Sequence, residues 1–268
     1  MNKSGIIPVV AAWMLSFAAF AAPQGVTPIF GTPWQPPKDQ PKVIYGTDDR
    51  IDVYQEADPA RLAMAASTCA LLSSGDVINH GDGTYSLNFY DYDGGFGVPA
   101  CAGERFGTQP VSAYCSGFMV GDDIVATAGH CLDETRLNST KIVFGFVMQN
   151  ANTPVSVYPA ALVYTPIEIL GHALAGDLDY TITRVDRPIT APGAHPLPIR
   201  RSGVIDLNTK VGLIGHPAGL PMKIAFGDTT VVRGNTIPGY FTANTDSYGG
   251  NSGSPVFNQA TGVVEGIL

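Results

Sequence analysis

Charge is scarce in this chain. Only 14% of its 268 residues are Asp, Glu, Lys or Arg, and 15 basic residues face 23 acidic ones, for a net charge of −8. Lys and Arg nowhere gather into a basic stripe, which excludes a general nucleic-acid binder. Disorder is excluded as well, because 45% hydrophobic residues supply enough apolar material for a sizeable core. Long hydrophobic runs are missing beyond the first 22 residues. Ile6 to Ala22 is 17 residues interrupted by Pro8 and Ser16, shorter than the roughly 20 that span a bilayer. With Lys3 before it and Ala19-Phe20-Ala21 at its end, this run reads as a secretory signal cleaved after Ala21. The mature protein is then secreted, with no stable membrane insertion. Cysteine is limited to Cys69, Cys101, Cys115 and Cys131, with no CxxC among them, which argues against zinc or another metal. Export favours two disulfides instead, and spacing alone leaves all three connectivities open. No internal repeat is visible.

Glycine and proline are plentiful, 31 and 21 residues, and they punctuate short β-branched runs, so the expected class is all-β. Residues 22–42 hold six prolines and no apolar period, the composition of an extended pro-segment or linker. Strand-like pattern begins at "KVIYGTDDRIDVYQ". "DPARLAMAAS" follows as a short helix with Asp58 as N-cap and Pro59 at its first position. "TYSLNFY" alternates as a half-buried strand, and further strands are expected at "SAYCSGFMV", "DIVATA", "KIVFGFV" and "YTITRV". "DRPITAPGAHPLPIR" carries four prolines and suits a connection between two sub-domains over 187–199. Beyond it, "VGLIG", "KIAF", "TTVV", "YFTAN", "SPVF" and "VVEGIL" give a second set of short strands, so the expected units are 43–186 and 200–268.

Three motifs supply a constellation. "ATAGHCLD" centres on His130, "GDLDYTITRV" on Asp177 and Asp179, and "GGNSGSPVF" on Ser252. A serine hydroxyl is a weak nucleophile at neutral pH. It needs a base to take its proton, and that base needs a third group to fix its tautomer. Gly250 and Gly253 beside the serine let backbone approach closely where a Cβ would intrude. His80, His172, His195 and His216 have no metal-type partner, and "DYDGGFG" (91–97) lacks the spacing and terminal Glu of a calcium loop.

"TAGHC" at Thr127–Cys131 followed by "GNSGSP" at Gly250–Pro255 resembles the trypsin-like, chymotrypsin-fold serine peptidases. It is most similar to the secreted bacterial branch with the glutamyl endopeptidases, as are "VIYGTDDR" at Val43–Arg50 and "GHPAGLP" at Gly215–Pro221. The resemblance covers most of 43–268 but leaves 55–109 as an extra segment. It implies an all-β fold of two six-stranded antiparallel barrels and endopeptidase activity on protein or peptide substrates, by a monomer without a cofactor. It also implies His130 as general base, Ser252 as nucleophile and the N–H groups of Gly250 and Ser252 as oxyanion hole. For the carboxylate the resemblance favours Asp179, which fits the family's Asp-hydrophobic-x-hydrophobic strand better than Asp177. The resemblance further implies a Cys115–Cys131 disulfide bracing the histidine loop, which leaves Cys69 to pair with Cys101. Asp246 and Ser247 fall at the substrate pocket. An acidic residue there selects Lys or Arg in trypsin, whereas the glutamyl-specific branch also carries Asp near it, so both specificities stay open. Cleavage between Lys42 and Val43 would free an amino group like that of mature relatives.

Two rival classes remain. An α/β-hydrolase needs G-x-S-x-G and the order Ser, Asp, His, neither of which is present. A non-catalytic binding protein on a protease fold is the stronger rival. Trypsin-like chains continue past the strand matching "VVEGIL" with a pocket wall, a sixth strand and a helix, so the second barrel is expected to be incomplete and these 268 residues weakly active or inactive.

Overall fold

The computed structural model describes residues 43–92 and 102–268. The expected signal (1–21), the proline-rich segment (22–42), residues 93–97 of the "DYDGGFG" turn and Cys101 lie outside the described residues.

Chain entry is through β1 (Arg50–Asp52), followed by α1 (Pro59–Ala66). The helix starts where its sequence signals place it. Asp58 accepts the Ala60 N–H at 2.8 Å, and Pro59, which has no N–H to leave unpaired, fills the first turn. β2 (Thr68–Ser73), β3 (Cys115–Gly121), β4 (Ile124–Thr127), β5 (Thr140–Phe144), β6 (Val163–Tyr164), β7 (Pro166–Ala175) and β8 (Leu178–Val185) form one antiparallel sheet in the order β6-β5-β2-β3-β4-β8-β7. β2 lies inside the segment that the sequence leaves without a counterpart, yet it pairs with both β3 and β5. "TCALLS" shows no alternation because both of its faces are covered. Cys69 and Leu71 pack with Met119, Ile142 and Phe144, while Ala70 and Leu72 pack with Val143, Phe146 and Tyr158. A short apolar run of this kind is the mark of a strand buried on two sides, and each such Leu contributes about 1.5–3 kcal/mol.

The second antiparallel sheet holds β9 (Val211–Gly215), β10 (Lys223–Ala225), β11 (Pro255–Asn258) and β12 (Val264–Ile267), in the order β1-β10-β9-β11-β12. Here the expected unit boundary changes. β1 was assigned with everything from 43 to 186, but Arg50, Ile51 and Asp52 pair with Ala225, Ile224 and Lys223. The reason is polar: buried Asp52 and Lys223 satisfy each other across that register, Oδ1 to Nζ at 2.7 Å. The described strands of the two main sheets therefore divide seven and five. Phe118 and Ala126 of the first sheet meet Ile214, Ile224, Phe257 and Val264 of the second in a shared core. The proline-rich connection crosses between the sheets and is tied to both, Leu197 N–H donating to the Met119 carbonyl and Val264 N–H to that of Pro198.

Cys115 and Cys131 form a disulfide with Cα atoms 6.2 Å apart, closing a loop of 16 residues onto β3. The expected Cys69–Cys101 bond is not formed. Cys69 is a free thiol in the sheet wall, wholly buried beside Leu71, where it packs as a small hydrophobe and burial pushes its pKa up. No helix among the described residues is long and apolar enough to cross a membrane.

Candidate active site

β8 pairs with β4 in the register Thr181↔Thr127, which lays the residues before Thr181 against the turn that follows Thr127. Asp179 and His130 meet there. Asp179 Oδ1 accepts the His130 backbone N–H at 2.9 Å, and Oδ2 lies 2.7 Å from Nδ1. A carboxylate only accepts, so Nδ1 carries the proton and Nε2 keeps its lone pair in the neutral ring. Desolvation pushes the Asp179 carboxyl up, but the side-chain and backbone hydrogen bonds of His130 outweigh it and hold the group below its ordinary value of 3.8. Asp177 sits at the β7–β8 turn, where its Cβ and carbonyl lie against Gly239, and it does not meet His130.

The serine turn runs from Tyr248 to Ser254. Gly250 has φ +94° and Gly253 φ +89°. A Cβ on Gly250 would lie 2.5 Å from the His216 carbonyl, and one on Gly253 2.0 Å from that of Ser116, so neither position accepts a side chain. Two pinned carbonyls orient the turn. Gly249 O accepts the Ala218 N–H at 2.6 Å, and Asn251 O accepts the Ser254 N–H at 2.8 Å. In a planar trans peptide the N–H points opposite the C=O, so the N–H groups of Gly250 and Ser252 face away from those anchors. Neither N–H donates to an acceptor among the described residues. Ser252 is partly exposed and its carbonyl lies 3.6 Å from Cys131 Sγ, which sets the serine beside the His130 turn, although no hydrogen bond joins the hydroxyl to the imidazole. Ser254 is wholly buried, its hydroxyl 3.4 Å from Asn251 Oδ1.

Two supporting residues escaped the sequence reading. Ser116 donates its N–H to the Ser252 carbonyl at 2.8 Å and its hydroxyl to the Gly250 carbonyl at 2.9 Å, clamping the turn from β3. Ala218, at φ +58°, sits in the left-handed region that a side chain rarely adopts, and from there it supplies the N–H that anchors Gly249. No sequence signal marks an alanine for that conformation. Of the two residues expected at the substrate pocket, Asp246 is 3% exposed with both of its oxygens accepting backbone N–H groups, and Ser247 is half-buried. Cys115, His130 and Cys131 place ligand-type atoms within 4.8 Å of one another, but the disulfide consumes both thiolates.

Comparison with known proteins places this geometry. A model of the trypsin-like peptidase domain matches residues 115–267. A protein named secreted RxLR effector protein 73, from Plasmopara viticola, is 28% identical over 165 residues, which is 57% of this chain and 40% of that protein. The VesB protease of Vibrio cholerae superposes with a TM-score of 0.51 at 15% identity over 82% of this chain and 59% of that one. The chain thus spans less than two thirds of either. The VesB likeness is one of fold, and with the two packed sheets it identifies the architecture as the all-β chymotrypsin fold.

Proposed function

Because the chain belongs to the family of the trypsin-like peptidase domain, whose match covers more than half of it, we propose that it is a serine endopeptidase in which Ser252 is the nucleophile, His130 the general base and Asp179 the group that orients the base. The observation that carries this reading is the doubly bonded His130–Asp179 couple beside two backbone N–H groups that have no acceptor among the described residues. Ser252 Oγ attacks the scissile carbonyl carbon while its proton passes to His130 Nε2. The Gly250 and Ser252 N–H groups receive the developing oxyanion. His130 returns the proton to the departing amine, and water, deprotonated by the same nitrogen, then hydrolyses the ester on Ser252. Hydrogen bonds of this kind often tighten only when substrate is bound, so the missing His130–Ser252 bond does not count against the roles.

"GNSGSP" and "VIYGTDDR" support the branch resembling the secreted bacterial glutamyl endopeptidases. The apolar N-terminus, the Cys115–Cys131 disulfide and a relative named as secreted support export, and the protease fold supports protein or peptide substrates. We also propose that 1–21 is a removed signal and that 22–42 is a pro-segment cut before Val43. The second reading, a non-catalytic binder on the same fold, is favoured by the exposure of the His130–Asp179 couple. One comparison separates the readings. Ser252→Ala is expected to abolish peptide hydrolysis and labelling by a serine-directed phosphonate, while Ser254→Ala keeps most of both. Equal losses from the two changes refute the assignment, and a protein cut before Val43 that neither turns over nor labels refutes the peptidase reading.

A further inference from the structure

The three residues that lead into Gly249 and Gly250 are each held by the same distant piece of chain. Asp246 Oδ1 accepts the Tyr45 N–H at 2.8 Å and Oδ2 the Asp49 N–H at 2.7 Å, across 201 and 197 residues. Ser247 donates its N–H to the Val43 carbonyl at 2.8 Å. Tyr248 carries the Arg50 guanidinium over its ring, 4.6 Å from the centroid. Arg50 is itself 1% exposed and bonded to Asp48 and Glu104. Ser247 passes the constraint onward, since its hydroxyl accepts from Asn251 Nδ2 at 3.1 Å, and Asn251 precedes Ser252. The segment Val43–Arg50 is therefore a seat beneath the serine turn.

We propose that Asp246 is a positioning residue whose carboxylate binds the Val43–Arg50 segment and so fixes the turn carrying the Gly250 and Ser252 N–H groups, and that it does not select a substrate side chain. A selector must present an open oxygen to a cation. Here both oxygens are taken by backbone donors and the group is buried, so a substrate Lys or Arg reaches it only by displacing two charge-assisted hydrogen bonds. Misplacing donors by a fraction of an ångström is costly for catalysis, which makes a rigid seat functional. None of these contacts uses the Val43 nitrogen, so the seat does not depend on a freed amino group there. The kinetic consequence rests on the proposed peptidase activity; the structural consequence does not.

Asp246→Asn keeps the shape but sets an NH2 against one of the two backbone donors. In the full chain, amide exchange of residues 246–254 is expected to accelerate about 10-fold or more while β3, β4 and β5 are unchanged. With peptide substrates kcat is expected to fall at least about 10-fold with KM within about 3-fold, and the ranking of substrates with Lys, Arg or Glu before the cut bond to stay the same. Tyr248→Leu removes the Arg50 stacking face without touching Asp246, and a smaller acceleration over the same residues is expected, which keeps the test alive if Asp246→Asn does not fold. Unchanged exchange in the folded variants overturns the proposal, as does an intact kcat with a reordered substrate preference. If exchange accelerates but neither wild type nor variant hydrolyses peptide, the seat stands and the peptidase reading fails.

Discussion

Two carboxylates in this protein make contacts of equal length in opposite settings. Asp179 Oδ2 lies 2.7 Å from His130 Nδ1 with side chains 44% and 46% exposed, whereas Asp52 Oδ1 lies 2.7 Å from Lys223 Nζ with exposures of 3% and 1%. In the first pair water screens the charges, and the contact contributes at most about 1 kcal/mol to stability. Its worth is directional, because it selects a tautomer. In the second pair burial is the dominant influence on Lys223 and, against the opposing pull of Asp52, carries its pKa down to about 8. The ammonium is kept by full use of its three donors, to Asp52 at 2.7 Å, Gln109 Oε1 at 2.8 Å and the Pro221 carbonyl at 2.7 Å. Under the proposed peptidase reading one contact serves chemistry and the other architecture, and distance alone does not tell them apart.

Substitutions separate the two roles. Asp179→Asn is expected to lower kcat/KM by about 10⁴-fold, since the amide favours the wrong tautomer, while shifting unfolding free energy by less than about 1 kcal/mol. Steady-state kinetics beside a urea titration measures both. Asp52→Ala reverses the pattern: it strands a buried ammonium and is expected to cost about 3–5 kcal/mol in the same titration. A larger stability loss from Asp179→Asn than from Asp52→Ala would erase the distinction. A third buried group sharpens it. His216 is wholly buried, its Nδ1 3.0 Å from the Leu220 carbonyl, its ring stacked on Phe146 and its Nε2 without a partner among the described residues. Burial, the largest influence, together with the charge of Lys223, takes its pKa down from 6.5 to about 4 despite the hydrogen bond to Leu220. Between those values the unfolded chain binds a proton here that the folded chain does not, so stability is full above pH 6.5 and drains as pH falls toward 4, by up to about 3 kcal/mol. His216→Phe is expected to flatten that slope in unfolding measured from pH 7 to 4, and an unchanged slope would assign the acid sensitivity to other groups.

Much of the fold was legible because its strands are short apolar, β-branched runs between turn residues. The runs at "DIVATA", "KIVFGFV", "YTITRV" and "SPVF" became strands, and Asp58 and Pro59 opened α1 as their chemistry requires. β2 was missed because "TCALLS" is covered on both faces and so has no period. β1 joins the second sheet although it lies within the expected unit 43–186, because its partner is 171 residues away, from Asp52 to Lys223, and no local pattern encodes that distance. At the site, Asp179 rather than Asp177 meets His130, in line with the better fit of "DYTITRV" to the Asp-hydrophobic-x-hydrophobic strand of the family it resembles. Ser116 and Ala218 were invisible, since one is an ordinary serine and the other an alanine whose conformation only its surroundings impose.

The sequence by itself determined what is local: the all-β class, the turn chemistry at Gly250 and Gly253, the order of His130, Asp179 and Ser252, and the spacing of Cys115 and Cys131. Tertiary structure decided what depends on distant partners. It left Cys69 a buried free thiol and carried β1 to the second sheet. It also buried Asp246, expected at the substrate pocket, and set both of its oxygens against backbone donors from about 200 residues away, a pairing that no local pattern encodes.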